Sequence, residues 1–93
     1  MNQSNYYPSQ DPVNKFNQEM RLRGFSFKMI KSYTYYIRKI LQESNKNARS
    51  IDSADVRNFL DKMIDVGLPE STVNIAHLAF KLYFGKIFIV SFL

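Results

Sequence analysis

Apolar residues recur at helical spacing in four successive segments of this 93-residue chain, with short polar breaks between them. That pattern leaves few folds open. In residues 28–41, Met29, Ile30, Tyr33, Ile37, Ile40 and Leu41 fall on one side of a helix, because residues three and four apart share a face. The other side collects Lys28, Lys31, Ser32, Tyr35, Arg38 and Lys39. No run alternates with period two, so no sheet is expected. An all-α, compact four-helix bundle is the predicted fold class.

The breaks carry helix start and stop chemistry. Asp11 is placed to cap a first helix with Pro12 at its first position, and Gly24 is placed to end it. Its apolar side is predicted to be Val13, Phe16, Met20 and Leu22. Ser26 caps the second helix, which runs to about Ser44, and residues 44–50 read as a polar loop without periodicity. Asp52 or Ser53 caps a third helix that turns Val56, Phe59, Leu60, Met63 and Ile64 inward. Asp55, Asn58, Asp61, Lys62 and Asp65 face outward, and Gly67 is a natural left-handed terminator. A fourth helix starts near Pro69-Glu70 and runs to roughly Ile87, with Val73, Ala76, Phe80, Tyr83, Phe84 and Ile87 inward. Short links of this kind favour antiparallel neighbours in one bundle.

Domain limits follow from composition. Residues 1–10, rich in Asn, Gln and Ser, read as a disordered lead, residues 11–88 as the helical domain, and residues 89–93 as an apolar tail. No cysteine is present, so disulfides and thiolate metal sites are excluded. The polar start lacks the apolar run of a signal peptide, which points to an intracellular, cytoplasmic protein. The fourth helix keeps only a narrow polar strip of Ser71, Asn74, His77 and Lys81, while Ile75, Leu78 and Leu82 add a second apolar line. Lys81 and Lys86 interrupt residues 78–93, and a membrane span needs about 20 apolar residues, so no membrane partner is expected. The extra apolar flank therefore suits a protein partner.

Charge is sorted along the chain. Residues 21–49 hold Arg21, Arg23, Lys28, Lys31, Arg38, Lys39, Lys46 and Arg49 against one acid, Glu43. Asp52, Asp55, Asp61, Asp65 and Glu70 then outnumber Arg57 and Lys62, and no acid follows residue 70. The net charge of +5 is thus an oriented field, which suits docking one face on a polyanion. Double-stranded DNA is the polyanion whose phosphates match a rod of cations.

Ordered motifs add a family likeness. Gly24, Phe25, Ser26, Lys28, Ile30 and Tyr33 come first, then Gly67, Leu68, Ser71, Thr72 and Asn74, then Ala79, Phe80, Tyr83 and Phe84. Over residues 12–88 this series resembles the N-terminal core-binding (SAM-like) domain of tyrosine recombinases, the phage-integrase and Xer group. The resemblance implies a domain that clamps duplex DNA for site-specific recombination or integration. It places the second and fourth helices in or across the major groove. The DNA-binding candidates it implies are Lys28, Lys31, Ser32, Tyr35, Arg38 and Lys39 on the second helix, with Ser71, Thr72, Asn74 and Lys81 on the fourth. Ile75, Leu78 and Leu82 are the candidates for meeting a recombinase catalytic domain or another protomer.

The family's catalytic domain carries an Arg, a Lys, a His-x-x-Arg pair and a Tyr nucleophile. Here the single histidine, His77, is followed at that spacing by Phe80, and the chain stops where such a domain would begin. The expectation is a fragment, a truncated reading frame or a stand-alone relative that does no chemistry and needs no cofactor. Six tyrosines alone do not make a nucleophile, because phosphodiester attack also needs cations and a base around the phenol. The aspartates of the third helix fit a solvated face better than a metal site, two of them lying at a helix start where negative charge is favoured. The rival expectation is a helical protein-interaction module that uses the fourth helix and tail to dimerise or dock a partner, its positive charge serving solubility.

Overall fold

A computed structural model describes residues 12–88, with side chains through residue 85. Four α-helices follow one another: α1 Pro12–Leu22, α2 Phe27–Ser44, α3 Ser53–Asp65 and α4 Glu70–Phe88. A single 3₁₀ turn, Ala48–Ser50, sits between α2 and α3. Every regular element among the described residues is helical, as the sequence predicts. The disordered lead, the Asp11 cap and the apolar tail of the sequence reading lie outside the described residues, and so does the side chain of Ile87.

Each helix begins or ends where side-chain and backbone chemistry requires. The Ser26 backbone is extended, and its Oγ accepts from the Met29 N–H at 3.1 Å, satisfying one of the orphan donors of α2. Asn45 closes the same helix in the left-handed region (φ 56°), donating its N–H to the Leu41 carbonyl. Asp52 starts α3 with a reciprocal box: its Oδ1 accepts from the Asp55 N–H at 2.9 Å, and Asp55 Oδ2 accepts from the Asp52 N–H at 3.0 Å. Gly24 (φ +83°) and Gly67 (φ +86°) end α1 and α3 by the same device. The glycine N–H donates three residues back, to Arg21 and Ile64, and the next N–H donates five residues back, from Phe25 to Met20 and from Leu68 to Met63. Only glycine takes that backbone without strain.

The core forms around α2, which packs against all three other helices, while α4 packs on α2 and α3. Val13, Phe16 and Met20 of α1 are buried with Ile30, Tyr33, Ile37 and Ile40 of α2. Val56, Phe59 and Met63 of α3 meet Ala76, Ala79, Phe80, Tyr83 and Phe84 of α4. Aromatic rings interlock across the helices: Phe16 meets Tyr83 edge-to-face at 5.0 Å, and Phe59 meets Phe80 at 5.4 Å. Leu41, Leu60, Val73 and Leu82 are partly buried against this core, and no polar or charged residue is buried among those described.

Four expectations need correction. Leu22 is 84 % exposed, because it lies two residues beyond Met20 and so about 200° round the helix. Met29 and Ile64 are also exposed, each in a terminal turn and at the edge of its apolar stripe. Residues 44–50 are not a featureless loop. Ala48 opens the 3₁₀ turn and is buried, and Ile51 follows it into the core.

Candidate nucleic-acid interface

The hydrophobic underside of α2 fixes which way its cations face. With Ile30, Tyr33, Ile37 and Ile40 buried, the 100° step per residue turns Tyr35 directly outward, with Lys31 and Arg38 to one flank and Lys28, Ser32 and Lys39 to the other. Lys28, Lys31, Tyr35 and Arg38 are exposed, whereas Ser32 and Lys39 are half-buried. The structure thus brings the six predicted residues of α2 onto one face.

Neighbouring helices hold the two edges of this face. On one edge Arg38 Nη2 donates to Asn14 Oδ1 of α1 at 3.3 Å. On the other, Lys39 Nζ lies 3.9 Å from Glu43 Oε2, and Lys62 of α3 lies 3.8 Å from Glu43 Oε1. Glu43, the lone acid of residues 21–49, therefore partly neutralises the C-terminal end of the stripe. Among the described residues no ion pair ties Lys28 or Lys31 to a carboxylate, so the N-terminal half keeps its full positive field. The one cation of residues 21–49 held by an α3 aspartate is Lys46, outside the stripe, at 2.8 Å from Asp55 Oδ2. That hydrogen bond holds the Asp55 carboxyl below the usual carboxylate range and raises the Lys46 ammonium. Tyr35 and Tyr36 meet edge-to-face at 5.0 Å. Burial and the neighbouring Tyr35 raise the Tyr36 phenol, which stays protonated and able to donate.

The candidates of α4 form a separate strip. Ser71, Asn74 and Lys81 are exposed, while Thr72 is half-buried in the first turn. Asn74 and His77 border a groove against α3 with Arg57, Leu60, Asp61 and Ile64. Tyr35 and Lys39 border a different groove, lined by Phe59, Lys62, Met63 and Val66. Tyr35 and Lys39 thus border one groove of α3 and Asn74 another. Of the apolar flank, Ile75 and Leu78 are exposed, whereas Leu82 packs partly against the core.

Sequence reasoning passed over Phe27, which is 80 % exposed at the start of α2. Its signal was available: Phe27 stands four residues before Lys31, on the same helical face. Arg57 and Lys62 also enter the grooves beside the two strips, which only the packing of α3 reveals.

No helix among the described residues is long and apolar enough to cross a membrane. No group of three or more His, Cys, Asp or Glu among them could hold a metal ion. Neither the curated proteins nor the solved structures offer a match to the chain. A family model described as "Phage integrase, N-terminal SAM-like domain" matches residues 13–89, so all four helices lie within one known domain type. The chain belongs to the family of phage integrase N-terminal SAM-like domains.

Proposed function

We propose that this domain binds double-stranded DNA through the outer face of α2 and contributes no catalytic step of its own. The observation that carries the reading is the exposure of Lys28, Lys31, Tyr35 and Arg38 together, on a helix whose other side is anchored in the core. A rod of cations held in register meets successive phosphates at once, and release of their counterions drives the association. The family supports a recombinase-related role; on the proposed reading the domain forms one half of a clamp on the duplex. Lys28 and Lys31 take phosphates, Arg38 is suited to a guanine edge, and the Tyr35 hydroxyl donates to a phosphate or base.

Ser71, Thr72, Asn74 and Lys81 supply a secondary contact, because they lie on α4 and not on the α2 face. Short hydroxyl and amide groups at a helix start join the backbone N–H groups there in binding phosphate, and Asn74 is suited to an adenine edge. Access to chromosomal or phage DNA makes the cytoplasm the working compartment. Neutralising about four to six phosphates gives a salt slope near −4 to −5, with non-specific affinity of about 10⁻⁴–10⁻⁶ M at physiological salt. Electrophoretic retardation of a duplex across a salt series tests this. Binding that is absent at low salt, or indifferent to salt, overturns the reading.

A second reading has its own observation. Ile75 and Leu78 are exposed on the one helix that is apolar on nearly every side, which suits a recombinase catalytic domain or another protomer. Mass measurement in solution, with and without duplex, distinguishes the two: salt-insensitive self-association without DNA binding favours the protein-docking role.

A further inference from the structure

Phe27 is the most exposed aromatic residue of the described chain, at 80 %. It does not stand alone on α2. Phe27, Lys31 and Tyr35 follow at steps of four, with Arg38 three beyond, so aromatic and cationic side chains alternate along one ridge. Tyr35 is 54 % exposed on the same ridge, with one edge against Tyr36. Eight residues separate the two rings, about 12 Å along the helix axis, or the rise of three to four base steps. A helix that only neutralised phosphates would gain nothing from a bare phenyl ring among its lysines.

We infer that this ridge recognises thymine C5-methyl groups in the major groove, with Phe27 as the principal contact and Tyr35 as the second. The inference rests on the duplex-binding reading above and deepens it. The major groove is wide enough for an α-helix, and the thymine methyl is the only apolar group that base pairs present there. The cations beside Phe27 draw it onto a polyanion: Lys28 follows it directly, and Lys31 lies one turn on. A phenyl ring against a methyl removes both from water without needing a hydrogen bond. That term survives at salt concentrations which weaken the phosphate contacts.

Burial of one methyl group is worth about three- to fourfold in affinity. The test compares two 30-base-pair duplexes of equal sequence and A·T content, one with thymine and the other with deoxyuridine throughout. The full chain is titrated onto both by fluorescence anisotropy at fixed salt. The expected result is about three- to tenfold tighter binding to the thymine duplex, with the preference reduced in Phe27→Ser to no more than the roughly threefold share that Tyr35 retains. Phe27 lies outside the core, so circular dichroism of that variant should match the parent. Equal affinity for the two duplexes in the parent overturns the inference and leaves the phosphate-binding role of α2 intact. A thymine preference that persists undiminished in Phe27→Ser overturns the assignment to this ridge. Failure to bind either duplex at any salt overturns the underlying reading and this inference with it.

Discussion

Helices α2 and α4 are nearly the same length, 18 and 19 residues, yet they divide their surfaces in opposite ways. Phe27, Met29 and Tyr35 apart, α2 keeps its apolar residues to one side and its cations to the other, so burial of the first orients the second. α4 buries Ala76, Ala79, Phe80, Tyr83 and Phe84 and still shows Ile75 and Leu78 to solvent. One helix therefore has a face committed to charge, and the other has a surplus of hydrocarbon. A sharply divided helix has its outward chemistry fixed by its own core contacts. A helix apolar on several sides is fixed only in part by its own domain.

The inner half of α4 offers the largest test of that contrast. Phe80→Ala removes a fully buried ring from between Phe59 and Phe84 and should cost about 3–5 kcal/mol, enough to unfold much of a domain this small. Leu78→Ala, two residues earlier on the same helix, should change stability by under about 0.5 kcal/mol in urea titrations. Similar losses at the two positions would break the division of α4 into a core side and a free side.

On α2 the corresponding test is charge reversal. Lys31→Glu combined with Arg38→Glu should abolish duplex retardation while helicity by circular dichroism stays unchanged. Undiminished retardation would remove the distinction between α2 as the principal DNA contact and α4 as the secondary one. Asn74→Ala together with Lys81→Ala on α4 should weaken binding less than the α2 pair does. An equal loss would make the α4 strip a principal contact.

Smaller effects probe how α3 is set against α2. Asp52→Ala deletes the reciprocal box at the start of α3 and should cost about 1 kcal/mol by thermal or urea unfolding. The Lys46–Asp55 link gives a still smaller, pH-dependent contribution. Asp55 is held below the ordinary carboxylate range, so its share is present above that range and fades as pH falls through the lowered value. Lys46 is raised, so its share is present below the ordinary amine range and is lost as pH rises through the higher value. Lys46→Ala should therefore lower stability between those limits and leave strongly acid stability unchanged. An unaltered pH profile would show that the contact adds nothing.

Much of this architecture was legible because local chemistry and tertiary packing agree. Ser26, Asp52 and Gly67 mark their boundaries by mechanisms that operate within a few residues, and the buried stripe of α2 follows from spacing alone. The exposed Leu22, Met29 and Ile64 sit where periodicity is weakest, at helix ends and stripe edges, and only neighbouring helices decide their burial. Ala48 had no periodic context at all. Its burial comes from the way the link between α2 and α3 packs against the core. The face of the candidate site was readable from α2, but its edges were not. Asn14 against Arg38, and Glu43 between Lys39 and Lys62, depend on which helices lie alongside.

The uncharged interior has a practical consequence. With no charged side chain buried among the described residues, added electrolyte has no internal ion pair to disrupt and acts on the outside of the fold. The ring-to-ring contacts inside do not respond to it. Raising potassium chloride should therefore detach nucleic acid long before it loosens the protein, which makes the domain suitable for elution-type experiments in which release and unfolding must not be confused.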